Sequence, residues 1–209
     1  MGPFKRVLSL CIAAVSLAAP VFAECPVPGD IVEGIAARDD SGGVTTFRRG
    51  AEPGEVLETT LFDDNSGFFL RSAGGLLVKE SYDLANGAQV AETVTLTSLD
   101  DVGGAFPVAE GGHVELTGVE TVPENGVETP LTVTIEAGIR RRVLYGDCAV
   151  SAVPVRLIYT YGDDADAGAS VEYLDYLPEF GIALFLGTGE LGQAPDIYRI
   201  VELFKAPPE

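Results

Sequence analysis

Apolar and polar residues alternate through most of this chain, and helical periodicity is almost absent. In LTVTIEA, Leu131, Val133, Ile135 and Ala137 fall on one face while Thr132, Thr134 and Glu136 fall on the other, the period of a half-buried strand. VAETVTL puts Val90, Val94 and Leu96 on one face together with Glu92, and HVELTGV repeats the pattern. Clusters with turn chemistry separate these runs, among them Asp39-Asp40-Ser41-Gly42-Gly43, Asp63-Asp64-Asn65-Ser66-Gly67, Asn86-Gly87 and Asn125-Gly126. The pattern predicts about a dozen strands, near residues 30–37, 43–49, 55–63, 67–72, 75–82, 89–98, 113–121, 129–137, 139–146, 150–161, 169–177, 181–187 and 196–204.

Short strands at regular spacing with glycine-rich turns predict an all-β fold. Its antiparallel strands form a curved sheet, a half-open barrel or a sandwich, with little helix in the mature chain. The last run, DIYRIVELFK, is ambiguous, because Ile197, Ile200, Val201 and Phe204 would also line one helical face. Its β-branched and aromatic content favours a strand.

Two runs break the half-wet pattern. Val171, Tyr173 and Leu177 oppose Leu174 and Tyr176, and Ile182, Leu184 and Leu186 oppose Ala183 and Phe185. Strands apolar on both faces belong inside a fold, so these are predicted to be central or sandwiched. They either form ordinary core or line a cavity, in which case Leu174, Tyr176, Leu184 and Leu186 are the expected apolar ligand face.

The first residues, MGPFKRVLSLCIAAVSLAAPVFA, have a basic start at Lys5 and Arg6, an apolar centre and a small-residue ending. This is the pattern of a secretory signal peptide over 1–23, with a single β-rich domain over 24–209 and a soft boundary near 100–112. The apolar centre is too short to span a bilayer, so no membrane span is expected after cleavage. Leu10 before Cys11 and Glu24 before Cys25 argue against lipid attachment, which wants a small residue there. An outer-membrane barrel is disfavoured by the absence of tryptophan and the polar Ala-Pro-Pro-Glu ending. The expected location is the Gram-negative periplasm.

In that compartment the two mature cysteines, Cys25 and Cys148, are expected to form a disulfide. Two free thiols or a redox pair are the alternative, without Cys-x-x-Cys spacing to support it. The net charge is -19, and removing the two signal cations gives -19 minus 2, or -21. Such a field repels phosphate backbones and anionic lipid, which argues against nucleic acid as a partner.

Catalytic signals are sparse. His113 is the only histidine, and a hydrolase would have to use it beside a serine and an acid. A zinc site is excluded by ligand count. Asp163, Asp164 and Asp166 could hold Ca²⁺, but the full loop pattern is missing, and a solvated hairpin tip is the competing reading. Glu172, Asp175 and Glu179 could supply paired carboxylates, a grouping that a chain this acidic produces by chance. Arg140, Arg141 and Arg142 form either an anion clamp or internal charge balance. No cofactor motif is present.

Tyr159-Thr160-Tyr161, an acidic turn and a strand precede Tyr176-Leu177-Pro178-Glu179-Phe180-Gly181-Ile182. This arrangement resembles the closing hairpins of exported bacterial β-sheet families of unknown function. Those families are similar in architecture to the half-open barrels of periplasmic lipoprotein carriers and sensors. The resemblance spans about 30 residues and departs from the usual corner in having Leu177 before the proline and no tryptophan. It implies a sheet wrapped around an apolar cavity and carries over no functional residue. The expected function is a non-enzymatic binding or assembly module, whose partner is an apolar small molecule or another envelope protein. A hydrolase using His113 or a purely structural envelope protein is the alternative.

Overall fold

The computed structural model describes residues 24–162 and 169–207. The chain begins with a 3-10 turn at Pro28–Val32 and continues as strands. These are β1 (Ile35–Asp39), β2 (Val44–Arg49), β3 (Glu55–Leu61), β4 (Gly67–Ala73), β5 (Leu77–Ala85), β6 (Ala88–Gln89) and β7 (Thr95–Leu99). They are followed by β8 (His113–Val122), β9 (Val127–Ala137), β10 (Arg141–Tyr145), β11 (Cys148–Tyr161), β12 (Ser170–Leu177), β13 (Ile182–Glu190), β14 (Asp196–Ile197) and β15 (Ile200–Lys205). All belong to one antiparallel sheet in the order β14-β13-β12-β11-β9-β8-β7-β5-β4-β3-β2-β1-β15, with β10 on β11 and β6 on β5 as side branches. The predicted all-β class is therefore observed.

The order follows the sequence except at one place. β15 leaves β14 and pairs with β1, in register from Ile35 opposite Lys205 to Arg38 opposite Glu202. Meanwhile β14 pairs with β13 through Gly187 opposite Ile197. Consecutive pieces of one segment thus bond both ends of the sheet, which curls without forming one continuous closed ladder. The ambiguous DIYRIVELFK run is strand for this reason: an open edge at β1 offers it a full row of backbone partners. Lys205 adds ion pairs to Asp30 at 3.0 Å and Glu33 at 2.8 Å.

Several predicted strands are shorter than their pattern. The alternation over 89–98 is interrupted by a 3-10 turn at Ala91–Thr93, so strand resumes only at Thr95. The Thr93 hydroxyl donates to the Val90 carbonyl at 2.9 Å and accepts the Asp83 amide at 2.7 Å. Such local side-chain bonds compete with a ladder for the backbone. The run over 30–37 likewise begins as a turn, where the Asp30 carboxylate accepts the Val27 amide. Residues 100–112 connect β7 to β8, and those two strands pair directly.

Packing concentrates in two clusters. Ile35, Phe47, Val56, Tyr145, Val150, Leu177, Phe180, Ile182, Leu184 and Leu203 belong to the first. Leu77, Leu116, Leu131, Val133, Ile135, Val153, Val155, Leu157, Leu174 and Tyr176 belong to the second. β12 and β13 feed both clusters from opposite faces, as their two-sided apolar runs predict. Full burial of a side chain such as Leu177 or Ile182 is worth about 2 kcal/mol. The corner between these strands turns at Gly181, whose φ of 67° favours glycine, and its amide donates to the Leu177 carbonyl at 2.9 Å. Gly75 in the β4–β5 turn presses against it: a Cβ there would lie 2.3 Å from the Gly181 carbonyl oxygen.

Cys25 and Cys148 form a disulfide that joins the start of the described chain to β11. In the chain-entropy description a loop of 123 residues contributes about 5 kcal/mol. We expect Cys25→Ser, at an exposed position, to lower the melting temperature by roughly 10 °C. Calorimetry beside a reduced wild-type sample checks this; equal melting temperatures for oxidised wild type and variant would contradict it.

Candidate functional site

The curled sheet does not fill its interior. A cavity of about 670 Å³ lies between the two clusters and takes its walls from β1–β5, β7–β9, β11–β13 and β15. Much of the wall is apolar, including Phe47, Phe68, Leu70, Leu131, Val133 and Leu174. The exposed side chains of Phe62, Phe185 and Tyr198 line it too and mark its mouth. Phe185 and Tyr198 stand 6.1 Å apart, ring centre to ring centre, where β13 meets the C-terminal segment.

A polar stripe crosses this apolar lumen. Glu58 on β3 sits in register between Phe47 of β2 and Leu70 of β4, and its carboxyl accepts the Ser72 hydroxyl at 3.2 Å. On the β11–β12 wall the Tyr159 hydroxyl donates to Glu172 at 3.0 Å. The Tyr161 hydroxyl donates to Glu120 of β8 at 3.3 Å. Asp39 is the other carboxylate in the lining, and no lysine, arginine or histidine is found among the described residues that form it.

Enclosure controls the charge of these groups. Removal from water, opposed by the Ser72 bond and reinforced by Glu172, pushes the Glu58 carboxyl up to about 8 from 4.5. Part of the Glu58 surface is still accessible, but it opens into the cavity. Burial also raises Glu172, against the lowering effect of its bond from Tyr159. The Tyr161 hydroxyl is pushed up to about 12, by burial first and by Glu120 second, and Tyr159 rises by the same causes with Glu172 as its neighbour. Glu172 acts on Glu58 although six strands separate them in the ladder order, because they come from opposite walls.

The residues singled out in the sequence scatter around this cavity. Leu174 and Leu184 line it. Tyr176 is buried in the second cluster without reaching the lining, and Leu186 lies in an outer groove with Arg141 and Ile197. His113 is exposed at the start of β8, opposite Glu136 in register. Asp163, Asp164 and Asp166 lie outside the described residues, and no other metal-ligand cluster is found among the described ones. Of the three carboxylates considered for acid–base work, Glu172 enters the lumen and Glu179 is exposed. Asp175 is buried, bound by both Arg141 contacts, at 2.8 and 3.1 Å, and by the Tyr145 hydroxyl at 2.6 Å. Arg140 pairs with Glu110 at 2.9 Å, so two residues of the arginine triplet serve charge balance. Glu58 and Glu120 were not legible as site residues, because acids inside alternating strands look like a solvent face.

The raised carboxyls fix the sign of a stability dependence on pH. Between the ordinary value of 4.5 and about 8, folded Glu58 keeps a proton that the unfolded chain has released. The stability that Glu58 contributes is therefore full below that window and is lost as pH rises through it, by on the order of 1 kcal/mol per pH unit. Urea unfolding should show this fall in wild type and a shallower one in Glu58→Gln. A steeper or unchanged fall in the variant would place the effect elsewhere.

No protein-family profile matches the chain, and neither does any curated protein. Among solved structures, the chain is similar to that of the hypothetical lipoprotein YmcC from Escherichia coli. The identity is 10%, the coverage 74% of this chain and 77% of that one, and the TM-score 0.42.

Proposed function

We propose that this is an exported, periplasmic, non-enzymatic binding protein that holds one apolar small molecule within its sheet. The observation that supports this is the apolar cavity of about 670 Å³ with an aromatic mouth. Its volume is within the range of roughly 300–1,000 Å³ usual for small-molecule sites. The walls supply burial for an apolar body, while Ser, Thr and Tyr hydroxyls on the lining offer a few orienting bonds. The disulfide fits a protein that folds in an oxidising compartment.

Two measurements test the reading. Native mass spectrometry of protein exported in its own host, followed by solvent extraction, should show a recurring apolar adduct. A clean mass would favour a structural or protein-binding role in the envelope instead. The second uses the half-buried Leu70, whose side chain lines the lumen. Leu70→Trp should fill the space and weaken binding of an environment-sensitive apolar dye at least tenfold, with the melting temperature nearly unchanged. Equal dye affinity in both proteins would place the dye, and the reading, outside the cavity.

A further inference from the structure

The chemistry of the polar stripe limits which apolar molecules the cavity accepts. Resting on the binding reading above, we propose that the cavity selects amphiphiles with a cationic or hydrogen-bond-donating head, a primary amine above all, and rejects fatty acids. Glu58 and Glu172 receive the head from opposite walls.

Geometry makes the argument. The lining offers carboxyl groups at Asp39, Glu58, Glu120 and Glu172 and no cationic side chain among its described residues. A carboxylate head would find no cation to pair with, only carboxyl groups, the Ser and Thr hydroxyls of the lining and the phenols Tyr159 and Tyr161, whose hydroxyls are already given to Glu172 and Glu120. An ammonium meets carboxyl oxygens from two directions in a space where water is scarce and charge pairing is strong. The apolar tail then has Phe68, Leu70, Leu131, Val133 and Leu174 to lie against. The ion pairs made by Arg71, Arg141 and Arg156 use Glu80, Asp175 and Glu136, none of which belongs to the lining. A cation entering the lumen also favours the ionised form of Glu58, so amine binding should release protons near neutral pH.

The test compares dodecylamine, dodecanol and dodecanoate, all below micelle-forming concentration, by titration calorimetry in two buffers of different ionisation enthalpy. In wild type the amine should bind on the order of tenfold more tightly than the alcohol, with proton release, and the acid more weakly than either. In the Glu58→Gln, Glu172→Gln double variant the amine should fall to the affinity of the alcohol while alcohol binding persists. The variant keeps nearly all the protein's negative charge, so a preference for amine that survives in it would be a general surface effect and would overturn the assignment. Tight binding of dodecanoate by wild type would overturn it as well. If none of the three is bound, the binding reading itself fails, and the head-group assignment falls with it.

Discussion

An antiparallel sheet this long ends in two rows of unpaired amides and carbonyls, and the fold rests on how those rows are occupied. The segment from Asp196 to Lys205 meets both, first β13 and then β1. Because one short stretch must touch both edges, the sheet between them has to curl until they stand side by side. Edge pairing protects against association with other chains and sets the curvature at the same time. The disulfide acts in the same sense, since Cys25 precedes the 3-10 turn that leads into β1 and Cys148 begins β11, far along the sheet in strand order. Lys205, held by Asp30 and Glu33, fastens the last strand to the first turn.

A curled sheet of so many strands encloses more volume than its inward side chains fill. Part of the interior is closed by ordinary packing, where the β12–β13 corner brings Leu177, Phe180 and Ile182 against Ile35, Phe47 and Leu203. The rest is the cavity. Its opposing walls are held apart by the ladder, which resists collapse more firmly than a loosely packed side-chain core would. Space and polarity then coexist there, because a carboxyl group that cannot be hydrated can still be kept neutral or bonded to a tyrosine.

The same geometry explains what could be read in the sequence. Strand positions were legible because alternation is a local property, and β8, β9, β12 and β13 lie close to their predicted places. The two-sided apolar runs at 171–177 and 181–187 correctly marked strands between two packed clusters. The disulfide followed from compartment and parity. The interior face of β3 was not legible. In EVLETTL the inward residues are Val56, Glu58 and Thr60, whereas Leu57 and Thr59 point the other way. A rule that sends polar residues to solvent inverts this strand, since it assumes that the inside of a sheet is dry and full. Long-range pairing was equally hidden: no local signal states that Glu58 will face Glu172 across the lumen, or that β15 will return to β1.

Placing acids inside a lumen lowers the stability that the same positions could provide. A desolvated carboxyl must either hold its proton above the usual range, as Glu58 does, or draw bonds from neighbours, as Glu172 does from Tyr159. Leucine at Glu58, between Phe47 and Leu70, would match its register neighbours and extend the apolar wall without that penalty. A sheet whose interior served only to hold its shape would gain from such filling. Unfilled space, inward acids drawn from four separate strands and an aromatic mouth together make a composition poor for packing, as the proposed binding role requires.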